Sequence, residues 1–123
     1  MDSFGHVNNI VYFRYFESAR MEYFARLAYD QEMKNSGAGP ILAETQCRFR
    51  AALEFPDFIA TGARVSDIQS DRFQMQYAVA SYRLGRIAAE GTGLIVSFDY
   101  RANKKTALPD EIVRKIREME SPG

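Results

Sequence analysis

The sequence predicts an α+β fold: one long aromatic helix, then four antiparallel strands, then a short closing helix. Three observations carry this. Residues 10–28 hold Phe13, Phe16, Tyr23, Phe24 and Leu27, with Tyr12 and Ala19 beside them, while Arg14, Ser18, Glu22 and Arg26 recur every fourth residue as a polar stripe. From Ile41 onward the hydrophobic period changes to two. The alternating runs are separated only by short turns, Glu54-Phe55-Pro56-Asp57, Gln69-Ser70-Asp71 and Leu84-Gly85, which suit antiparallel neighbours.

In the first helix, Ile10 to Ala28, the aromatic load implies burial over much of the surface, as for a helix wrapped by a curved sheet. These rings read as core, and Glu22 and Arg26 form an i,i+4 pair of the favourable order. Asn8 or Asn9 is a natural N-cap, and Gly5 suits a positive-φ turn before it. Asp30 to Pro40 reads as a loop broken by Asn35-Ser36-Gly37-Ala38-Gly39-Pro40. In the first strand Ile41, Ala43, Thr45, Cys47, Phe49 and Ala51 alternate with Leu42, Glu44, Gln46, Arg48 and Arg50. Cys47 falls on the apolar side and reads as a small, inert hydrophobe. Phe58 to Ile68 is the second strand, with Gly62 marking a bulge. Phe73, Met75, Tyr77 and Val79 define the third. The fourth, Ile87 to Arg101, presents Leu94, Val96, Phe98 and Tyr100 as one apolar face. Gly91 and Gly93 sit on its other face, where a close neighbour needs no side chain. Pro109 opens the last helix, with Asp110 and Glu111 in its first turn and Arg114, Lys115 and Arg117 later, matching the helix dipole.

A chain of 123 residues supports one domain, 1–123, with one core, and 46% hydrophobic with 13% aromatic residues favours a packed globule over disorder. Sixteen basic against sixteen acidic residues argue against a general nucleic-acid binder. The lone Cys47 excludes an internal disulfide and suits a reducing compartment. No apolar run is long enough to span a membrane and no basic-then-apolar leader is present, so a cytoplasmic location is expected. One histidine, no zinc-type Cys/His spacing, no phosphate-binding glycine loop and no Gly-x-Ser-x-Gly elbow leave no metal site or serine-hydrolase motif in view.

The chemistry concentrates at the amino end. Asp2-Ser3-Phe4-Gly5-His6-Val7-Asn8-Asn9 places a carboxylate, a glycine turn, the only histidine and two asparagines immediately before the helix. A helix start offers backbone N–H groups without intrahelical partners and favours negative charge. A carboxylate beside such donors can attack a carbonyl, or direct water at it, while the donors hold its oxygen. Read more plainly, Asp2 is a terminal surface carboxylate, Asn8 and Asn9 are caps, and His6 bonds across the turn or lines a pocket, with proton transfer as its alternative role. Glu17 is placed to pair with Arg20 at i,i+3.

This segment, followed by Tyr12, Tyr15-Phe16-Glu17 and Ala19-Arg20, resembles the hotdog-fold acyl-CoA thioesterases of the 4-hydroxybenzoyl-CoA thioesterase type, and the element order agrees over nearly the full length. The resemblance implies a curved antiparallel sheet around a central helix and a homodimer or homotetramer with the site at the dimer interface. It implies hydrolysis of an acyl-CoA thioester to free acid and CoA, with no cofactor beyond the coenzyme A of the substrate and no metal. It makes Asp2 the catalytic carboxylate, as nucleophile or as base for water, and the backbone N–H of Asn9 the oxyanion donor, with His6 completing the catalytic set. Gly5, Val7, Asn8, Tyr12, Glu17 and Arg72 are the expected substrate contacts, Arg72 standing in, with Arg48, Arg50, Lys104 and Lys105 as further candidates, for the CoA-phosphate contacts that some relatives carry near the Gln69-Ser70-Asp71 turn. Relatives usually place a strand before the aspartate; with Asp2 second in this chain, the expectation is a sheet without it. Two other functions fit the same residues: hydration or dehydration of an enoyl or hydroxyacyl thioester by Asp2 and His6, and acyl-CoA binding without catalysis. No nucleic-acid or membrane partner is expected.

Overall fold

The computed structural model describes residues 9–54 and 56–121, with Asn9 described by its backbone alone. Helix α1 (Asn9–Arg26) leads into α2 (Tyr29–Ser36), then β1 (Ala38–Phe49), β2 (Ile59–Ile68), β3 (Arg72–Ser81), β4 (Arg86–Asp99), the two-residue β5 (Lys104–Lys105) and α3 (Asp110–Glu120). The sheet is antiparallel in the order β1-β4-β3-β2, with β5 paired to β4. Its inner face holds α1, whose Tyr12, Phe16, Tyr23, Phe24 and Leu27 are buried, while Arg14, Ser18, Glu22 and Arg26 stay exposed as their spacing predicts. Phe73, Met75, Tyr77 and Val79 of β3 face the helix as expected.

Residues 30–40 are not a loop throughout, because Tyr29–Ser36 forms α2. Asp30 and Glu32 in the first turn and Lys34 in the last complement its dipole. Gly37, read as part of a breaker cluster, caps that helix at φ 82°, and its N–H donates to the Met33 carbonyl at 2.9 Å. The sharp corner between α1 and α2 falls on Ala28, at φ 54°.

Two strand readings change face. An irregularity between Leu42 and Glu44 shifts the register of β1, so Leu42, Thr45, Cys47 and Phe49 share the helix side with their β4 partners Ile95, Gly93, Gly91 and Ala89. Ile41, predicted to lie with Thr45 and Cys47, pairs with Val96 on the opposite face. In β4 it is therefore the glycine face that meets the helix, and Leu94, Val96 and Phe98 turn away from it. A Cβ built on Gly91 would collide with the Phe16 ring and the Gln46 carbonyl, and one on Gly93 with the Tyr77 hydroxyl. Rings from α1 and β3 fill the space that β4 leaves open. Gly91→Ala is expected to cost about 1–3 kcal/mol by overpacking, read as a lower midpoint in urea at unchanged slope. The bulge expected at Gly62 lies instead between Val65 and Asp67.

Helix α3 closes the far end. Ile112 and Ile116 enter the core, and Glu120 accepts hydrogen bonds from Tyr23 Oη at 2.5 Å and from the Val65 N–H at 3.1 Å. One carboxylate thus joins the last turn of α3 to α1 and to the edge strand β2.

Candidate active site

Asp2, Gly5, His6, Val7 and Asn8 lie outside the described residues. The structure defines the surface they lead into. Helix α1 begins at Asn9 with no acidic side chain in its first turn. A helix start favours a nearby carboxylate or a developing oxyanion.

Just inside that start, Tyr12 is buried. Its Oη accepts a hydrogen bond from the Leu53 N–H at 3.3 Å, and its ring meets Phe49 and Tyr15 edge-on. Burial pushes the Tyr12 hydroxyl up, so it stays protonated at neutral pH. Tyr12 therefore braces the helix start against the end of β1 and the segment after it. That is a supporting position.

Helix α1 rests mainly on β2 and β3, and the helix side of β1 reaches past it. Leu42, Thr45 and Phe49 remain exposed there. On α1, Ile10, Phe13, Glu17 and Met21 are exposed as well, Met21 at 57%. Glu17 has no ion pair with Arg20. Arg20 turns inward, and its Nη1 donates to Tyr77 Oη at 3.2 Å. Sequence reasoning gave Arg20 a place in the family motif and a pairing with Glu17, not a place in the core. The missed signal was its spacing, four residues after Phe16 and three before Tyr23, on the buried stripe.

Arg72 is not brought to this place. It opens β3 and holds Asp71 through Nε–Oδ1 at 2.8 Å and Nη2–Oδ2 at 3.0 Å, which draws the Asp71 carboxyl below its ordinary range. Its neighbour Phe73 packs edge-on against Phe24 in the last part of α1, so Arg72 sits at the opposite end of the helix from Asn9. Arg50 is engaged with Glu90. Cys47 is half-buried and burial pushes its thiol up, which disfavours the thiolate. A cavity of about 950 Å³ lies on the sheet face turned away from α1, lined chiefly by Gln46, Arg48, Arg64, Gln76, Glu90 and Thr92. It is wide and does not reach the start of α1. Among the described residues no group of three His, Cys, Asp or Glu side chains is placed to hold a metal ion, and no helix is long and apolar enough to cross a membrane.

Comparison with known proteins agrees with this architecture. The family model of the thioesterase-like superfamily matches residues 1–116. A thioesterase from Thermus thermophilus, complexed with coenzyme A and zinc, superposes with a TM-score of 0.83 at 28% identity, over 99% of this chain and 88% of that one. The PA5185 protein of Pseudomonas aeruginosa does so with a TM-score of 0.81 at 26% identity, over 98% and 83%. The 1,4-dihydroxy-2-naphthoyl-CoA thioesterase of Synechocystis shares the fold at a TM-score of 0.83 and 15% identity, over 99% and 90%. No curated protein matches significantly. A curved antiparallel sheet around a central helix and a family match over residues 1–116 together place the chain: it belongs to the thioesterase-like superfamily and is a hotdog-fold thioester hydrolase.

Proposed function

We propose that this thioesterase hydrolyses acyl-CoA to a free acid and CoA, with Asp2 and the start of α1 carrying the reaction. The observation that supports this most is the opening of α1 at Asn9 without an acidic residue in its first turn, directly after the Asp2–Asn9 motif. The thioester oxygen accepts a hydrogen bond from the Asn9 N–H, and the dipole of α1 favours the negative charge that grows there. Asp2 takes a proton from water as the water oxygen bonds to the carbonyl carbon. Collapse of the tetrahedral intermediate breaks the C–S bond, and the CoA thiolate leaves and is protonated. With Asp2 as nucleophile, an anhydride forms first and water then cleaves it. His6, Gly5, Val7 and Asn8 belong to the same sequence motif, and His6 is assigned to the reacting end on that ground.

Coenzyme A enters as part of the substrate, as the coenzyme A held by the Thermus relative supports. The scheme uses no metal or redox group. A cytoplasmic setting suits a CoA substrate and a single reduced cysteine. The test is thiol release from a panel of acyl-CoAs. Loss of enoyl absorbance without thiol release would establish a hydratase instead. Ligand-dependent thermal stabilisation with neither reaction would establish a binding protein.

We further propose that the working unit is a homodimer, or a tetramer built on it. The outer edge of β1 has no strand partner among the described residues, and it runs beside the exposed Leu42, Phe49, Phe13 and Met21. A free strand edge beside apolar side chains is a pairing surface. Sedimentation equilibrium is expected to give at least twice the 14.0 kDa chain mass, and Leu42→Glu to shift it toward the monomer. A fully active monomer would exclude this assembly.

A further inference from the structure

We propose that the cavity on the outer face of the sheet is a binding site for a nucleoside monophosphate, separate from the reacting end at Asn9. The strand register builds it. Gln46, Thr92, Gln76 and Arg64 stand side by side across β1, β4, β3 and β2, and Arg48, Glu90, Ala78 and Gly62 form the next row. In that second row Ala78 and Gly62 supply only a methyl group and a hydrogen, where Arg64, Gln76 and Glu90 beside them are long. A Cβ built on Gly62 would meet nothing within 4 Å. The hollow holds about 950 Å³, within the range of small-molecule sites.

The lining fixes the chemistry of the occupant. Gly62 and Ala78, with Ile87 beyond them, make a low apolar floor that suits the face of a ring. Gln46, Gln76 and Thr92 offer amide and hydroxyl groups to the heteroatoms of a base and a ribose. The charge is positive. Glu90, the one carboxylate in the lining, is matched by Arg50 at 3.0 Å, and neither Arg48 nor Arg64 has a carboxylate partner among the described residues. Both arginines are exposed, so a ligand meets them directly from solvent. Arg64 Nε donates to Gln76 Oε1 at 2.7 Å, which steadies the guanidinium beside the floor and leaves its two Nη groups for a phosphate. Gln76 is thus a positioning residue. Arg48 stands on the other edge strand, three strand spacings or about 14 Å across the sheet. An inorganic phosphate is too small to meet Arg64, the floor and Arg48 together. A nucleoside monophosphate held at Arg64 lays its ring over Ala78 toward Arg48, whose flat guanidinium suits stacking on a base.

The experiment is calorimetric titration of the full chain with AMP and GMP, beside adenosine, benzoate and inorganic phosphate. At least one nucleotide is expected to bind about tenfold or more tightly than any of the other three, and to weaken with added salt. Arg64→Gln lowers nucleotide affinity by about tenfold or more by removing charge-assisted hydrogen bonds, and Arg64→Lys, which keeps the charge without the fork, retains part of it. Gly62→Phe fills the hollow. Because a side chain there starts in open space, Tm is held while nucleotide binding is lost. The cavity does not reach the start of α1, so thiol release from acyl-CoA by Gly62→Phe stays within about twofold of the parent. Inorganic phosphate or benzoate binding as tightly as the nucleotides, no nucleotide binding by the parent chain, or unchanged binding in Gly62→Phe would overturn the assignment. A raised KM for acyl-CoA in Gly62→Phe would also overturn it, by making the hollow the seat of coenzyme A's own nucleotide. So would a lower sedimentation mass in that variant, which would make this face a contact between copies of the chain. Binding is read as heat, so the result stands whether or not any acyl-CoA releases thiol.

Discussion

Asp2→Asn is expected to lower kcat for thiol release by about a thousandfold, with KM changed little, because the amide can neither take a proton nor attack a carbonyl. The substitution keeps size and hydrogen-bonding capacity, so a fall in kcat alone reports the lost carboxylate. The donor side is tested by Asn9→Pro beside Asn9→Ala. Proline is well tolerated at the first position of a helix, so α1 survives while the N–H disappears. Losing one oxyanion donor costs about a hundredfold or more in kcat. Asn9→Ala keeps the N–H and does modest harm. Full turnover in Asp2→Asn, with activity lost in Glu17→Gln, would move the chemistry to the helix flank; equal activity in the two Asn9 variants would remove the proposed donor.

Phe16→Ala carries the largest expected effect on stability, about 3–5 kcal/mol, read as a fall in Tm of roughly 10 °C or more. Phe16 is 1% exposed, stacks on Tyr77 with ring centres 5.0 Å apart, and lies where a Gly91 side chain would otherwise be. Truncation leaves a hole bounded by β-sheet backbone, which cannot collapse to fill it. Phe58→Ala is the matched control: that ring is 82% exposed, and its loss is expected to move stability by under about 0.5 kcal/mol. Similar losses in the two variants would show that the stacked ring is not a main support of the core.

Much of the architecture was legible in the sequence because two strong periods meet there. The stripe of Arg14, Ser18, Glu22 and Arg26 marked the outer side of α1, and Phe73 to Val79 marked the inner side of β3. The misreadings have local causes. α2 was hidden because the Gly37 that ends it resembles the glycine of a loop. The face of β4 was inverted because glycine counts as featureless in a hydrophobic pattern, whereas here Phe16 and Tyr77 supply the bulk that Gly91 and Gly93 omit. The face of β1 shifted at Ala43 because an irregularity of one residue leaves no mark in composition. At the site, the motif assigns the reacting end to Asp2–Asn9, of which only Asn9 is among the described residues. Arg20 and Tyr77 meet only through contact across 57 positions of chain, which no local pattern encodes.

The two missing side chains on β4 decide how deep the aromatic rod sits in its cradle. Restoring bulk at either position would lift the rod or force its rings aside, so the seating of the helix is governed from beneath, by residues that carry no polar group of their own.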